Sequence, residues 1–411
     1  MGVLDPAVGW PSLRAAEALV PLESQGGNTG RKMSIKVRGF AGILFLIGVA
    51  VFLISCGNSP SRPAGVLLVT SEGASSVTSY GINLDTGGLS QINTSAQTQN
   101  VPSGIVLDPT GSFAYVTNSA SNTLSAYSVN PNGTLMAVSG NPATGTTPIA
   151  LAIDHAGHFL FVANQGSNDV SVFSVGSSGS VTLVGSFPTG TPPTPTATSG
   201  AAPASVAVDP SGSFLYVANR GQGTISVFSV DSSGALTQIL GSPFSVRTTP
   251  SGLAVATTTT TSPAPITILY VANEGSNDVS AFVICESVSP SCAIAGTPIE
   301  VTGSPFAAGL GPVSAAIDPS VNFLYIADMN SNQVSGYHIN PSNGELTALS
   351  QAPSTGTSPV FVAIHPGGLY LYVANIGSDS ISGFKITAKS GALVPLAPVT
   401  TASRPSAIAL K

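Results

Sequence analysis

The chain has 411 residues, of which only 7% are charged, and it contains 45 glycines and 32 prolines. Its 12 Lys and Arg residues against 18 Asp and Glu residues give a net charge of −6, and no basic stripe of the kind that binds nucleic acid is present in the sequence. Gly, Pro, Ser and Thr between β-branched runs are typical of many short strands joined by tight turns, so the composition favours an all-β fold.

The N-terminal part of the chain is predicted to precede the fold, in three segments. Residues 1–32 show no apolar periodicity and are interpreted as a leader or a misassigned start. Residues 33–55 have a basic start and then an apolar run of about 15 residues, which is short for a membrane span. The run ends in LISCG, which resembles the bacterial lipobox, so Cys56 is predicted to carry a lipid; the alternative is an uncleaved anchor or an ordinary secretory signal. Residues 56–65 would then be a tether, and the protein is expected to be an exported lipoprotein anchored in a bacterial membrane, periplasmic or at the cell surface.

A five-residue strand motif recurs seven times in the rest of the chain, at intervals of 46 to 55 residues. Its fullest form is LYVAN, and the copies occupy residues 67–71, 114–118, 160–164, 215–219, 269–273, 324–328 and 371–375. The fourth copy shows the plan of one repeat: an alternating strand, the turn DPSG at 209–212, the LYVAN strand, and two further strands. Four antiparallel strands in each of seven repeats predict a seven-bladed β-propeller, whose strands we call A to D from the axis outward.

The first copy of the motif has no strand A before it, whereas the chain ends in an additional strand. Residues 404–410 (RPSAIAL) are similar to residues 101–107 (VPSGIVL), which open the second repeat. The C-terminal strand is therefore predicted to complete blade 1, so that residues 66–411 form a closed ring without a free sheet edge between the first and last blades.

The YVAN-type strands, the D-P-[ST]-G turns and the N-x-G-x-L-T hairpins together resemble the lactonase-type seven-bladed propellers. This family includes the YVTN repeat proteins and relatives of bacterial 6-phosphogluconolactonase. The resemblance covers residues 66–411 and implies the propeller fold and a lactone-hydrolysing activity. The family's catalytic residues have no local motif that can be found in this sequence, so none is transferred.

Two cysteines, Cys285 and Cys292, interrupt the fifth repeat where a short C–D turn is expected. Because an exported protein meets an oxidising compartment, the two cysteines are predicted to form a disulfide. Half of a metal site is the alternative, and it lacks neighbouring His or Cys partners.

The candidate site is the rim of the central pocket, on the face that the D–A and B–C loops share. The residue directly after each LYVAN-type strand is expected on this rim; these residues are Glu72, Ser119, Gln165, Arg220, Glu274, Met329 and Ile376. The D–A connections add Arg247 and Arg404, so the three arginines of residues 66–411 are all expected on this face.

The candidate catalytic residues are Glu274, Arg220 and Arg247, and the pocket-rim residues are Glu72, Gln165 and Arg404. A carboxylate at Glu274 would activate water, and an arginine would hold a substrate anion and stabilise the developing oxyanion. The alternative is that Arg220 and Glu274 only form an exposed ion pair of small value.

Other motifs point away from metal and cofactor chemistry. His155 and His158 have H-x-x-H spacing but lie in an A–B turn on the opposite face, without a third ligand nearby, and no metal site is predicted. The loops at 166–169 and 275–278 contain Asn and Asp, for which a structural role in the turn is favoured over calcium binding. No phosphate loop, nucleophile elbow or dinucleotide motif occurs, so no cofactor is expected.

Two classes of function therefore remain open from the sequence. The first is a lactonase-like hydrolase with a small-molecule lactone as substrate, which the family resemblance implies. The second is a non-catalytic surface propeller that binds a protein, a glycan or another cell-envelope ligand.

Overall fold

The computed structural model describes residues 65–92, 95–191, 200–259, 264–287 and 292–411. These residues belong to the compact unit of residues 62–411. They form no helix that is long and apolar enough to cross a membrane. The predicted leader, the signal peptide and Cys56 lie outside the described residues.

The described residues form 32 strands, arranged in seven sheets. The strands of blades 1 to 3 are β1 (Gly65–Ser71), β2 (Ser76–Ile82), β3 (Leu89–Gln91), β4 (Ala96–Gln97), β5 (Pro102–Leu107), β6 (Phe113–Asn118), β7 (Thr123–Val129), β8 (Leu135–Val138), β9 (Pro148–Ile153), β10 (Phe159–Asn164), β11 (Asp169–Val175) and β12 (Val181–Pro188). Those of blades 4 and 5 are β13 (Pro203–Val208), β14 (Phe214–Asn219), β15 (Thr224–Val230), β16 (Leu236–Gln238), β17 (Phe244–Ser245), β18 (Pro250–Thr257), β19 (Thr267–Asn273), β20 (Asp278–Ile284), β21 (Pro298–Glu300) and β22 (Phe306–Ala307). Those of blades 6 and 7 are β23 (Pro312–Ile317), β24 (Phe323–Asp328), β25 (Gln333–Ile339), β26 (Leu346–Ala348), β27 (Pro359–Ile364), β28 (Tyr370–Asn375), β29 (Ser380–Ile386), β30 (Leu393–Pro395) and β31 (Val399–Thr400), and the chain ends with β32 (Pro405–Leu410).

Each blade is an antiparallel sheet with the strand order that the repeat predicts. In blade 4 the order is β13–β14–β15–β16, and the short β17 pairs with the other end of β15. The LYVAN strand β14 lies between β13 and β15, with Leu215 opposite Phe228 and Asn219 opposite Thr224. The prediction of four-stranded antiparallel blades, with the recurrent motif as strand B, is confirmed.

The ring is closed by the C-terminal strand, as predicted. β32 pairs with β1, so that Leu410 lies opposite Leu67 and Ile408 lies opposite Val69. Val66 and Lys411 exchange backbone hydrogen bonds of 2.9 Å. The innermost strands contact one another in the succession β32, β5, β9, β13, β18, β23 and β27, and β27 contacts β32 again. Blade 1 is thus built from both ends of the fold.

The hydrophobic core is divided among the interfaces between neighbouring blades. At the interface of blades 4 and 5, Tyr216 and Ile225 pack with Leu253, Leu269 and Phe282. Alternate residues of a strand point to opposite faces of its sheet, so one LYVAN-type strand supplies side chains to two interfaces. The near-continuous apolar character of the motif follows from this burial on both faces.

A glycine in the C–D turn of each blade packs against the residue that directly precedes the LYVAN-type motif in strand B of the preceding blade. Gly234 has a φ of +82°, and a Cβ added to it would lie 2.5 Å from the ring of Phe159. The equivalent contacts pair Gly133 with Val66, Gly179 with Phe113, Gly296 with Phe214, Gly344 with Ile268, Gly391 with Phe323 and Gly87 with Tyr370. In three interfaces a strand-B tyrosine hydroxyl also donates to the carbonyl of that glycine; the pairs are Tyr270 with Gly344, Tyr325 with Gly391 and Tyr372 with Gly87. The contact therefore links successive blades around the whole ring.

The side chain of the first residue in the A–B turn accepts hydrogen bonds from the backbone of the turn. Asp209 Oδ1 accepts a hydrogen bond of 2.7 Å from the Phe214 N–H, and its Oδ2 accepts one of 3.2 Å from the Ser211 N–H. His365 occupies the same position in blade 7, where its Nδ1 accepts from the Gly367 N–H at 3.0 Å. His365 therefore holds the A–B turn of blade 7 as the aspartate does in blade 4.

Blade 5 carries the bridged loop in place of a short C–D turn. The structure joins Cys285 and Cys292 by a disulfide, with their Cα atoms 6.2 Å apart. The Gly296 N–H donates to the Cys285 carbonyl at 2.7 Å, which closes the loop just before β21.

Candidate functional site

A cavity of about 480 Å³ lies at the centre of the ring, at the end of the blades where the B–C and D–A loops lie. Strand A of every blade contributes to its wall, together with residues that directly follow strand B. Six of the seven predicted rim residues line it, namely Glu72, Ser119, Arg220, Glu274, Met329 and Ile376. Gln165 is not among the lining residues, and Thr147 lines the cavity from blade 3 instead.

Glu274 and Arg220 meet at the cavity wall between blades 4 and 5. Arg220 Nη2 lies 2.9 Å from Glu274 Oε2 and donates a hydrogen bond of 3.0 Å to Oε1. Ser251 Oγ donates to Oε2 at 2.9 Å. The Glu274 side chain is 15% exposed and that of Arg220 is 42% exposed. A carboxylate that faces the cavity is therefore fixed by a cation on one side and a hydroxyl on the other.

The backbone determines where these groups lie. Pro250 opens β18 opposite Asn273, which ends β19, so Ser251 and Glu274 are brought to the same end of blade 5. The Glu274 N–H donates to the Thr249 carbonyl at 2.9 Å, which holds the first residue after the strand against the D–A connection. The position after the LYVAN motif is therefore anchored at the rim.

A second ion pair lies at the rim of blade 1. Arg404 Nη2 and Nε donate to Glu72 Oε2 at 3.1 and 3.3 Å. Glu72 lines the cavity and its side chain is 22% exposed. Arg404 is not among the lining residues, and its side chain is 56% exposed. Both arginines at the cavity mouth are thus already paired with carboxylates.

The structure does not bring Arg247 to the cavity. Its Nη2 lies 3.0 Å from Glu300 Oε1, and neither residue is among those that line the cavity. Glu300 ends the outer strand β21 of blade 5, so the side chain of Arg247 turns toward the edge of the blade. The position of Arg247 in a D–A connection predicted the face of the ring on which it lies, but not the direction of its side chain.

Serines of strand A were missed by the sequence analysis, although several follow the proline that opens the strand. Ser103 donates to the Pro148 carbonyl and Ser406 donates to the Pro102 carbonyl, each at 2.8 Å. Ser251 is the member of this group that contacts Glu274. A proline followed by serine at the start of an inner strand is the signal that could have identified them.

The cavity wall is asymmetric in polarity. The difference lies at the residues that directly follow strand B: Arg220 and Glu274 are charged in blades 4 and 5, whereas Met329 and Ile376 are apolar in blades 6 and 7. With strand A of the same two blades they form what we call the apolar wall, which consists of Val313, Met329, Val360, Phe361 and Ile376 and is interrupted by Ser314. Strand A of other blades also lines the cavity with apolar side chains, among them Ile149 and Leu253.

The asparagines that end strand B hold side chains of strand C rather than facing the cavity. Asn219 Nδ2 donates to Thr224 Oγ1 and Ser226 Oγ at 3.0 and 2.9 Å. Blade 6 has Asp328 at this position, where Ser335 Oγ donates to its Oδ2 at 2.6 Å. Burial raises the pKa of the Asp328 carboxyl to about 6.

The other motifs show structural contacts. Asn168 Oδ1 accepts from the Ala202 N–H and Asn277 Oδ1 accepts from the Gly311 N–H, both at 2.8 Å, so each holds the following D–A connection. His155 and His158 lie in the A–B turn of blade 3. In the described ranges, no three His, Cys, Asp or Glu residues are grouped so that they could hold a metal ion.

Comparison with known proteins gives one family and several similar structures. The family model "Lactonase, 7-bladed beta-propeller" matches residues 62–195, 177–282 and 263–410. The structure of a candidate 6-phosphogluconolactonase from Bacteroides fragilis superposes with a TM-score of 0.72 at 20% identity, covering 86% of this chain and 99% of that chain. A periplasmic gluconolactonase from Pseudomonas aeruginosa gives a TM-score of 0.69 at 21% identity, covering 84% of this chain and 98% of that chain. No curated protein sequence matches the chain. At these identities the structural likeness shows the fold.

Proposed function

Because the chain belongs to the family of seven-bladed β-propeller lactonases, we propose that it is an exported lipoprotein that hydrolyses a lactone in the central cavity. The observation that carries the proposal is the largely buried carboxylate of Glu274, held by Arg220 and Ser251 at the cavity wall. The names of the similar structures, a candidate 6-phosphogluconolactonase and a periplasmic gluconolactonase, support this reaction class.

In the proposed reaction Glu274 is the general base. It takes a proton from a water molecule, whose oxygen then bonds to the lactone carbonyl carbon. Arg220 contacts Glu274 through Nη2, so other N–H groups of the guanidinium can donate to the carbonyl oxygen as negative charge develops on it. The ring C–O bond breaks, and the ring oxygen leaves as a hydroxyl group with the proton that Glu274 had taken. Lactone and water thus give the open-chain hydroxy acid, and Glu274 is a carboxylate again.

Replacing the base tests this assignment. Glu274→Gln keeps the size of the side chain and removes its basicity, so kcat on γ- and δ-lactones should fall by about 10²- to 10⁴-fold. Glu300→Gln breaks the equivalent ion pair with Arg247 outside the cavity and should leave kcat unchanged. Thermal unfolding of both variants checks that they are folded. Equal rates for Glu274→Gln and the wild type would remove Glu274 as the base.

A wild-type protein that hydrolyses no lactone in a broad panel would favour the second function class. In that case the cavity or another face of the propeller binds a cell-envelope ligand without chemistry. The panel should therefore contain phosphorylated, polyhydroxylated and alkyl-substituted lactones.

The proposed export is tested at Cys56, which follows an apolar run that resembles a lipoprotein signal. Cys56→Ser removes the sulfur that would carry the lipid, so the protein should move from the membrane fraction to the soluble fraction. Cell fractionation with immunodetection measures this. Retention of the variant in the membrane fraction would contradict the lipid anchor.

A further inference from the structure

We infer that the lactone taken by this cavity is uncharged and carries an apolar substituent, which packs against blades 6 and 7. As a statement about a substrate, this inference rests on the proposed hydrolase function. As a statement about the chemistry that the cavity binds, it rests on the wall of the cavity itself.

Two residues of the apolar wall occupy rim positions that are polar in all other blades. Met329 and Ile376 directly follow strand B of blades 6 and 7, where blades 4 and 5 have Arg220 and Glu274. Both apolar side chains are only partly buried, as are those of Val313, Val360 and Phe361 in strand A. Single exposed apolar residues are normal on protein surfaces, but Met329 and Ile376 extend the apolar lining of strand A up to the rim on one side of a concave site, and such a continuous apolar surface can bind an apolar group.

The charges of the cavity disfavour a phosphorylated or carboxylated ligand. Arg220 is the one cation among the residues of the described chain that line the cavity, and it is paired with Glu274. Arg404 at the rim is paired with Glu72. Each of these two arginines is neutralised by a carboxylate, so the cavity offers no net positive charge to attract an anionic group, and an uncharged ligand is favoured.

The arrangement of the two walls fits one orientation of a small amphipathic lactone. The pair Arg220 and Glu274 lies on blades 4 and 5, and the apolar wall lies on the next two blades of the ring. A cavity of about 480 Å³ is within the range of ordinary small-molecule sites. The carbonyl of the lactone would lie at Arg220, and its substituent would extend toward Met329, Ile376 and Phe361.

A series of γ-lactones tests the preference. Going from a methyl to a pentyl substituent at the γ carbon adds four methylene groups, and each buried methylene contributes about a fourfold gain. We expect kcat/KM to rise by roughly tenfold or more across this series. The 6-phosphate of glucono-δ-lactone should be the poorest substrate. A kcat/KM that is independent of chain length, or highest for the phosphorylated lactone, would overturn the inference.

Matched substitutions test whether the wall is responsible. Met329→Ser and Ile376→Ser should reduce the ratio of kcat/KM for the pentyl and methyl lactones by roughly fivefold each, because each removes apolar contact area. The controls Met136→Ser and Leu369→Ser alter side chains that are 62% and 43% exposed and do not line the cavity, and they should leave the ratio unchanged. An unchanged ratio in Met329→Ser and Ile376→Ser would overturn the inference.

Binding of γ-lactams separates failure of this inference from failure of the proposed function. In these analogues an N–H replaces the ring oxygen, so they resist hydrolysis, and calorimetry with wild-type protein measures their Kd directly. Tighter binding of the pentyl than of the methyl lactam, without hydrolysis of any lactone, would support the ligand class and refute the hydrolase. Equal binding of the two lactams, or tighter binding of 6-phosphogluconate, would refute the ligand class even if lactones are hydrolysed.

Discussion

A single aspartate distinguishes blade 6 from its neighbours. Asp328 takes the place of the asparagine that ends strand B in five other blades, and its side chain is fully buried. Its Oδ2 accepts from Ser335, while its Oδ1 meets no donor among the described residues. Burial of a carboxylate without a cation disfavours the charged form, which is why the pKa of Asp328 rises to about 6 from an ordinary value of 3.8.

The sign of the resulting pH dependence follows from linkage. Between the ordinary pKa and pH 6, folded Asp328 holds a proton that the unfolded chain has lost, so the folded state is favoured by acid. The stability that this group contributes is present below the ordinary pKa and is lost as the pH rises through 6. His365 acts in the opposite sense, because burial lowers the pKa of its imidazole and acid favours the unfolded chain.

We therefore predict that Asp328→Asn stabilises the protein at pH 7.5, by up to about 3 kcal/mol. At pH 4 the gain should be close to zero, since the native carboxyl is then protonated. Urea unfolding at the two pH values measures the difference, and the effect of His365 cancels because it is common to both proteins. The reverse substitution Asn375→Asp in blade 7 should introduce the same pH dependence. A stability difference that is equal at both pH values would contradict the raised pKa.

At the scale of the strands and turns, the contact between blades explains the recurrent motif. Strand B begins with an aromatic residue in most blades because that ring covers the glycine of the next blade's C–D turn, as Phe159 covers Gly234. The glycine is required twice: its φ is positive, and a side chain would overlap the ring. The turn and the strand are thus coupled through an interface, although each is a local pattern in the sequence.

Two glycine substitutions distinguish the cost of backbone strain in a turn from the cost of a steric clash with the neighbouring blade. Gly212 has a φ of +74° and no atom within 4 Å of an added Cβ, so Gly212→Ala should cost only about 1–2 kcal/mol of backbone strain. Gly234→Ala has similar strain and also places its Cβ against Phe159, so its cost should exceed that of Gly212→Ala by about 1–3 kcal/mol. Urea unfolding of the two variants measures the difference. Equal losses would show that the turn yields without disturbing the neighbouring blade.

The elements differ in how far the sequence could predict them. Blade boundaries and the closing strand were predictable, because the period, the alternation and the Asp-Pro-Ser-Gly turns are local signals. The rim position of Glu274 was predictable for the same reason, since it directly follows a strand whose end is defined by the motif. The direction of Arg247 was not, because its partner Glu300 is on an outer strand of the next blade. The role of Ser251 was missed because its contact with Glu274 depends on the register between β18 and β19.

At the scale of the whole molecule, the stability of the ring depends on the non-covalent pairing of its last strand, β32, with its first strand, β1. Blade 1 takes its inner strand from residues Pro405–Leu410, whose Ala407 and Ile408 are buried. Each other blade has its A and B strands joined by a turn, whereas β32 and β1 are joined only by hydrogen bonds and packing. The two ends of the fold must therefore meet before the sheet of blade 1 is complete. This step depends on contacts between residues that are far apart in the sequence.

We predict that deletion of residues 405–411 from a 65–411 chain prevents cooperative folding. The deletion uncovers Leu67 and Val69 in β1 and removes Ile408, whose burial alone is worth about 2 kcal/mol, and it leaves β1 as an unprotected edge. Circular dichroism during urea unfolding and size-exclusion chromatography should show a broadened transition and aggregation.

A circular permutant is the matched control for this deletion. Joining Lys411 to Gly65 through an Asp-Pro-Ser-Gly turn, and opening the chain between the exposed residues Ser403 and Arg404, gives blade 1 the connectivity of the other blades while every strand keeps its partners. Because the Val66 and Lys411 backbones are already hydrogen-bonded to each other, the turn spans a short gap and should introduce little strain. The permutant should therefore unfold in one transition with a midpoint at or above that of the native order. A permutant that folds no better than the deleted chain would show that closure depends on the native chain ends rather than on the strand that they supply.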